Sequence, residues 1–238
     1  MAAIHAIMFA VFALNEARPQ FENDVWDPPA IEENLGQLGT KLQEQEQGQG
    51  PLPDSAVLKT LVRYDKGFLE FFAGNKSATE IALKMLIQKT KENLALLPVK
   101  VILEVTSYEY YPETIQPEGE SVKFLYSQHK TEGRKGHVSY FVDRGSAEPA
   151  GMAAGGCGLP VGWFNINGCY GNCVITNVNG IVNGMSDIHS HEVGHNLGMA
   201  HTKDGGFMGG KPGSWSETSR QQFKAWMSKY GSNCLTEN

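Results

Sequence analysis

Between residues 191 and 201 the chain places His191, His195 and His201, with Glu192 directly after the first histidine and Gly198 between the second and third. Successive residues of an α-helix are turned by about 100°, so His191 and His195 lie about 40° apart on one face, one turn above the other. Two imidazoles so placed can grip one ion from the same side. Glu192, about 100° round from His191, stands beside such an ion and not on it. Gly198 can take a positive φ, which lets the helix stop and the chain turn back, bringing His201 round as a third nitrogen donor. Three nitrogen ligands leave a position open for water, the mark of a catalytic and not a structural Zn2+ site. The carboxylate beside that position is suited to act as general base. The expected metal ligands are therefore His191, His195 and His201, with Glu192 as the catalytic residue and hydrolysis without a covalent intermediate as the chemistry. His189 falls about 200° from His191, on the opposite face, and is not a ligand candidate. His5, His129 and His137 have no partner spacing and are read as ordinary histidines.

The remainder of the chain constrains compartment and partners. A net charge of −6 over 238 residues is mild and argues against nucleic acid as a partner. Residues 18–55 hold eight acidic side chains against Arg18 and Lys41, which accounts for the whole of that charge. Ile4 to Leu14 is apolar apart from His5, too short for a membrane span of about 20 residues, and fits a secretory signal ending near Ala13 or Ala17. No other stretch suits a membrane anchor. Cys157, Cys169, Cys173 and Cys234 are even in number, as expected of an exported domain with two bridges, and the close pair suggests a small Cys169–Cys173 loop. Three regions follow: a signal peptide at 1–17, an acidic flexible pro-segment at 18–55 rich in Gln, Gly and Pro, and a catalytic domain at 56–238.

Within that domain, strand and helix patterns alternate. Val57 to Tyr64 reads as a strand. Ser77-Ala78-Thr79-Glu80 has capping-box spacing, opening a helix through Ile81, Met85, Leu86 and Leu94 that stops before Pro98. Val99 to Val105 alternates as a half-buried strand. A short helix around Val122 to Gln128, a strand at Val138 to Val142 and strands at Val161 to Ile166 and Val174 to Val178 come next. The histidine helix and a last helix carrying Phe223, Trp226, Met227 and Tyr230 on one packing face complete an α/β order with a sheet and crossover helices.

The run His191-Glu192-Val193-Gly194-His195-Asn196-Leu197-Gly198-Met199-Ala200-His201, followed by Gly206-Phe207-Met208, resembles the metzincin zinc metalloproteases, and within them the adamalysin (reprolysin) family. The likeness is strongest over residues 137–238. It implies a secreted zinc-dependent metalloendopeptidase acting on proteins or peptides, a twisted, mostly parallel five-stranded sheet with helices (α+β), a zinc cleft and a small C-terminal subdomain. A monomer is expected. Met208 would form the floor under the metal, a free sheet edge at Val161 to Ile166 would take an extended peptide, and Cys157 would pair with Cys234. The chain departs from the family in three places: Thr202 where Asp usually follows the third histidine, a short segment from His201 to Met208 without its cysteines, and Thr218 where the last helix usually carries a cysteine. Calcium is not implied. Asp24, in a stretch loosely resembling the astacin pro-segment, is a candidate cap for the metal in a precursor.

Overall fold

The computed structural model describes residues 51–112, 136–142, 151–154, 170–175, 182–211 and 213–237. The elements are β1 (Ser55–Tyr64), α1 (Lys66–Phe71), α2 (Lys76–Leu94), β2 (Lys100–Tyr110), β3 (Gly136–Phe141), β4 (Gly151–Ala154), β5 (Tyr170–Ile175) and α3 (Val182–Asn196). A 3-10 turn at Phe207–Gly209, α4 (Glu217–Trp226) running into a π turn, a last helical turn at Ser232–Cys234 and the short β6 (Thr236–Glu237) follow. The expected signal peptide, all but the end of the pro-segment including Asp24, the helix at 122–128, the strand at 161–166, and Cys157 and Cys169 lie outside the described residues.

The sheet is mixed, in the order β2-β1-β3-β5-β4. β1 is parallel to β2 and β3, and β3 is parallel to β5, while β4 runs antiparallel to β5 along the outer edge. The resemblance implies five strands. Six are formed among the described residues, with β6 returning antiparallel to the start of β1 and pairing Ala56 with Glu237 and Val57 with Thr236 where β3 has not yet begun. β1 is buried on both sides, which is why its sequence is nearly continuous in apolar residues and does not alternate. Its register with β2 slips between Thr60 and Leu61, leaving Thr106 as an extra residue whose hydroxyl donates to the Thr60 carbonyl at 3.1 Å.

Helix α2 begins two residues before the capping box would place it. Asn75, extended and following a positive-φ Gly74, accepts from the Ala78 amide at 3.1 Å and so caps the helix in place of Ser77. The helix ends at Leu94, ahead of Pro98 as expected. Its buried face is Ala78, Leu83, Leu86, Ile87 and Leu94, whereas Ile81 and Met85 are about half exposed and do not belong to the core. β2 runs five residues further than its alternation suggested. In the last helix Phe223, Trp226 and Met227 are buried and Tyr230 packs beside them.

One apolar core joins sheet, α2, α3 and α4 through Val62, Leu83, Phe141, Val193 and Phe223. Helix α3 packs on α2, β4 and β5, and its last residue, Asn196, meets His137 of β3.

Candidate metal centre

His191 and Glu192 are buried within α3, and His195 and His201 are partly exposed. The helix stops as its sequence demands. The Gly198 amide donates to the His195 carbonyl at 3.0 Å and the Met199 amide to the Gly194 carbonyl at 3.0 Å, the paired bonds of a Schellman cap, with Gly198 at φ 82 in the left-handed position. A side chain there would also meet the Trp226 ring, 2.4 Å from where a Cβ would sit. The chain then reverses and carries His201 back over the helix.

The three Nε2 atoms converge. His191 and His201 are 3.0 Å apart, His195 and His191 3.0 Å, and His195 and His201 3.2 Å. The other side of two rings is held by backbone carbonyls: His191 Nδ1 lies 2.7 Å from the Phe207 oxygen, and His195 Nδ1 lies 2.8 Å from the Met199 oxygen. A carbonyl can only accept, so both Nδ1 atoms carry a proton, and in its neutral form each ring then turns a bare Nε2 lone pair inward. Two bare acceptors 3.0 Å apart repel each other unless a cation lies between them. The triad could hold a metal ion. Met208 packs under it, its Sδ 2.6 Å from the place of a Cβ at Gly194, the helix residue before His195.

The segment that follows His201 explains the departures seen in the sequence. Thr202 donates through its hydroxyl to the Gly205 carbonyl at 3.1 Å and, through its amide, to the Met208 carbonyl at 3.0 Å, closing the short loop. Asp204 accepts from the Thr218 amide at 3.1 Å, and Thr202 and Ser216 hydroxyls meet at 3.3 Å. A hydrogen-bonded clasp thus ties the loop to the start of α4. The slight burial of Asp204 works to raise its pKa, but bonds from the Thr218 amide and the Ser216, Thr218 and Thr202 hydroxyls hold its carboxyl well below the usual range. Gln222 on α4 accepts from the Ala200 amide at 3.0 Å, steadying the residue before the third histidine.

His189 points away from the triad into the core. Its Nδ1 lies 3.0 Å from the Thr90 hydroxyl and its Nε2 2.8 Å from the Ser139 hydroxyl. Burial, with a smaller contribution from nearby His137, pushes its pKa down to about 3, so the ring stays neutral. His137 is likewise buried, between Thr60 and Asn196.

Sheet, metal-ready triad and supporting turn define a mixed α/β metallopeptidase domain. The chain belongs to the reprolysin-like metallo-peptidase family M12B, whose model matches residues 84–202, half of its length. No curated protein matches it. Among solved structures it is similar to metalloproteinase-II from Bacteroides fragilis, at 16% identity and a TM-score of 0.48 over 80% of this chain and 61% of that one. A chain in a chaperone–substrate complex is similar at 17% identity and a TM-score of 0.46, over 63% of this chain and 24% of that one. The chain thus spans less than two thirds of either. Among the described residues no helix is long and apolar enough to cross a membrane.

Proposed function

We propose that the chain is a secreted zinc-dependent metalloendopeptidase that cleaves proteins or peptides as a monomer, with His191, His195 and His201 as zinc ligands and Glu192 as general base. The convergence of the three Nε2 atoms, with two tautomers fixed by carbonyls, carries this reading. Tetrahedral zinc with Zn–N bonds of ~2.0–2.1 Å holds its nitrogens about 3.3 Å apart, and the 3.0–3.2 Å separations here fit that ion. When bound, zinc supplies Lewis acidity to a water and to the scissile carbonyl. Glu192 takes the proton of the attacking water and returns it to the leaving amine. The Phe207 and Met199 carbonyls keep His191 and His195 in the ligating tautomer.

Strand β4, at the end of the sheet order among the described residues, is a strand we assign to an extended substrate by β-augmentation, in addition to the edge at 161–166 that the resemblance implies. The chain beyond Gly198 forms the C-terminal subdomain below the cleft. Cys234 is disulfide-bonded, which supports an oxidising compartment; by the family resemblance we pair it with Cys157, leaving Cys169–Cys173 as the second bridge. The 1–17 signal peptide, 18–55 pro-segment and 56–238 catalytic domain make the chain a zymogen, with Asp24 as the residue to test for latency.

The deciding experiment is Glu192→Gln, assayed on casein with and without a zinc chelator. The substitution should lower kcat/KM by about 10²–10⁴-fold while zinc content stays stoichiometric. Unchanged turnover in the variant, or turnover in the wild type that ignores the chelator, would remove the proposal, and absent cleavage by the trimmed wild type would favour a binding module that keeps the fold.

A further inference from the structure

The metal-bearing helix is tied to the sheet by a buried polar chain that the metal chemistry itself does not use. His137 Nε2 lies 3.0 Å from Asn196 Oδ1, and His137 Nδ1 lies 2.7 Å from the Thr60 hydroxyl. Ser139 stands 3.4 Å from Thr60 and 2.8 Å from His189 Nε2, and His189 Nδ1 reaches Thr90 on α2. All of these side chains are buried. The Asn196 oxygen is a carbonyl and only accepts, so His137 Nε2–H donates to it, while His137 Nδ1 shares a second hydrogen bond with the Thr60 hydroxyl. Thr60 and His137 are register partners across the β1/β3 ladder, beside the register slip between β1 and β2.

The position of Asn196 gives this arm its meaning. Asn196 directly follows His195 and is the last residue of α3. The next three residues make the Schellman turn, and the Met199 carbonyl of that turn orients His195. His201 lies two residues further on. We propose that His137 is a positioning residue of the metal centre: through Asn196 it fixes the end of α3 against β1 and so sets His195 and His201 relative to His191. This rests on the triad being a zinc site. An apolar residue of the same size would fill the space but leave the Asn196 oxygen and the Thr60 hydroxyl without the ring between them.

The two arms can be separated by substitution, since a glutamine amide reaches the place of Nε2 and an asparagine amide the place of Nδ1. Zinc affinity of the full chain is measured by competition with a chromophoric chelator, together with the visible spectrum of the cobalt-substituted protein and the thermal midpoint of the metal-free protein. His137→Phe and His137→Asn should weaken zinc binding by about 10-fold, the lower end of the effect of losing a ligand's direct outer partner, since His137 acts one step further out, and should alter the cobalt bands. His137→Gln should stay within a few-fold of wild type with an unchanged spectrum. Should the Phe variant fail to fold, the Gln and Asn pair carries the test. Equal affinity in all variants, or affinity that follows the metal-free thermal midpoint whichever arm is kept, overturns the proposal while leaving the zinc reading intact. A wild-type protein that takes up no zinc overturns both.

Discussion

Gly198 answers two demands at one position. Its backbone sits at φ 82, where a β-carbon crowds the following carbonyl, and its missing side chain leaves room for the Trp226 ring. Gly198→Ala should therefore destabilise by the left-handed cost of about 1–2 kcal/mol plus an overpacking cost of about 1–3 kcal/mol. Urea unfolding of the metal-free protein reads this directly, and a loss under about 0.5 kcal/mol would contradict it. Asp204 supplies a prediction in pH. Its folded pKa lies below the unfolded value of about 3.9, so the clasp with Thr218 contributes in full above that value and is lost as pH falls through the folded pKa. In metal-free protein, the unfolding midpoints of wild type and Asp204→Asn should differ most near pH 6 and converge toward pH 2; a constant gap would exclude the carboxylate as the cause. At this scale the grouping of the three histidines was legible because helical spacing and the turn after it are local. The His137 partner of Asn196, 59 residues away, and the Thr218 partner of Asp204, 14 residues away, left no periodic trace, because polar contacts between separate elements follow from packing.

Helix α2 shows how an element can be legible while its buried face is not. Ile81 and Met85 sit one turn apart and are about half exposed, while the face turned inward carries Leu83, Leu86, Ile87 and Leu94, with Thr90 and Asn93 bonded to His189 and Ser190 of α3 and to the Trp215 indole. Polar residues on the buried side diluted the apolar stripe, and two apolar residues outside it drew the periodicity round. Leu83→Ala should cost about 2–5 kcal/mol as a buried cavity, whereas Ile81→Lys should stay within about 0.5 kcal/mol. Chemical denaturation of both variants checks the assignment, and comparable losses would return Ile81 to the core. The strands were found with ends shifted by a few residues, since pairing and not composition decides where a ladder stops. Strand β4, with the sequence Gly-Met-Ala-Ala, offers neither alternation nor β-branched residues, and only its pairing with β5 makes it a strand.

For the whole molecule, the triad draws its members from two sides of one turn. His191 and His195 belong to α3, packed on the sheet and α2, while His201 belongs to the loop that Gln222 and the Asp204 clasp fasten to α4. An ion shared by the three would cross-link these two parts, adding to the core and to the Gln222 bond that already join them. Because the unfolded chain does not present the triad, ion binding adds to folding stability by mass action, about 4 kcal/mol at a free zinc concentration 1,000 times Kd. For a domain of this size each kcal/mol moves Tm by about 2–4 °C, so a strong chelator should lower the wild-type midpoint by about 8–16 °C. His201→Ala leaves the pair on α3 but removes the ligand from the far side of the turn. Its metal-free midpoint should lie close to that of metal-free wild type, and its midpoint in zinc should rise by only a small part of the wild-type increment. Thermal unfolding of both proteins with and without chelator separates the alternatives: a full zinc increment in His201→Ala would mean that the third imidazole is not a ligand, and no increment in wild type would mean that the site does not bind zinc in the folded chain.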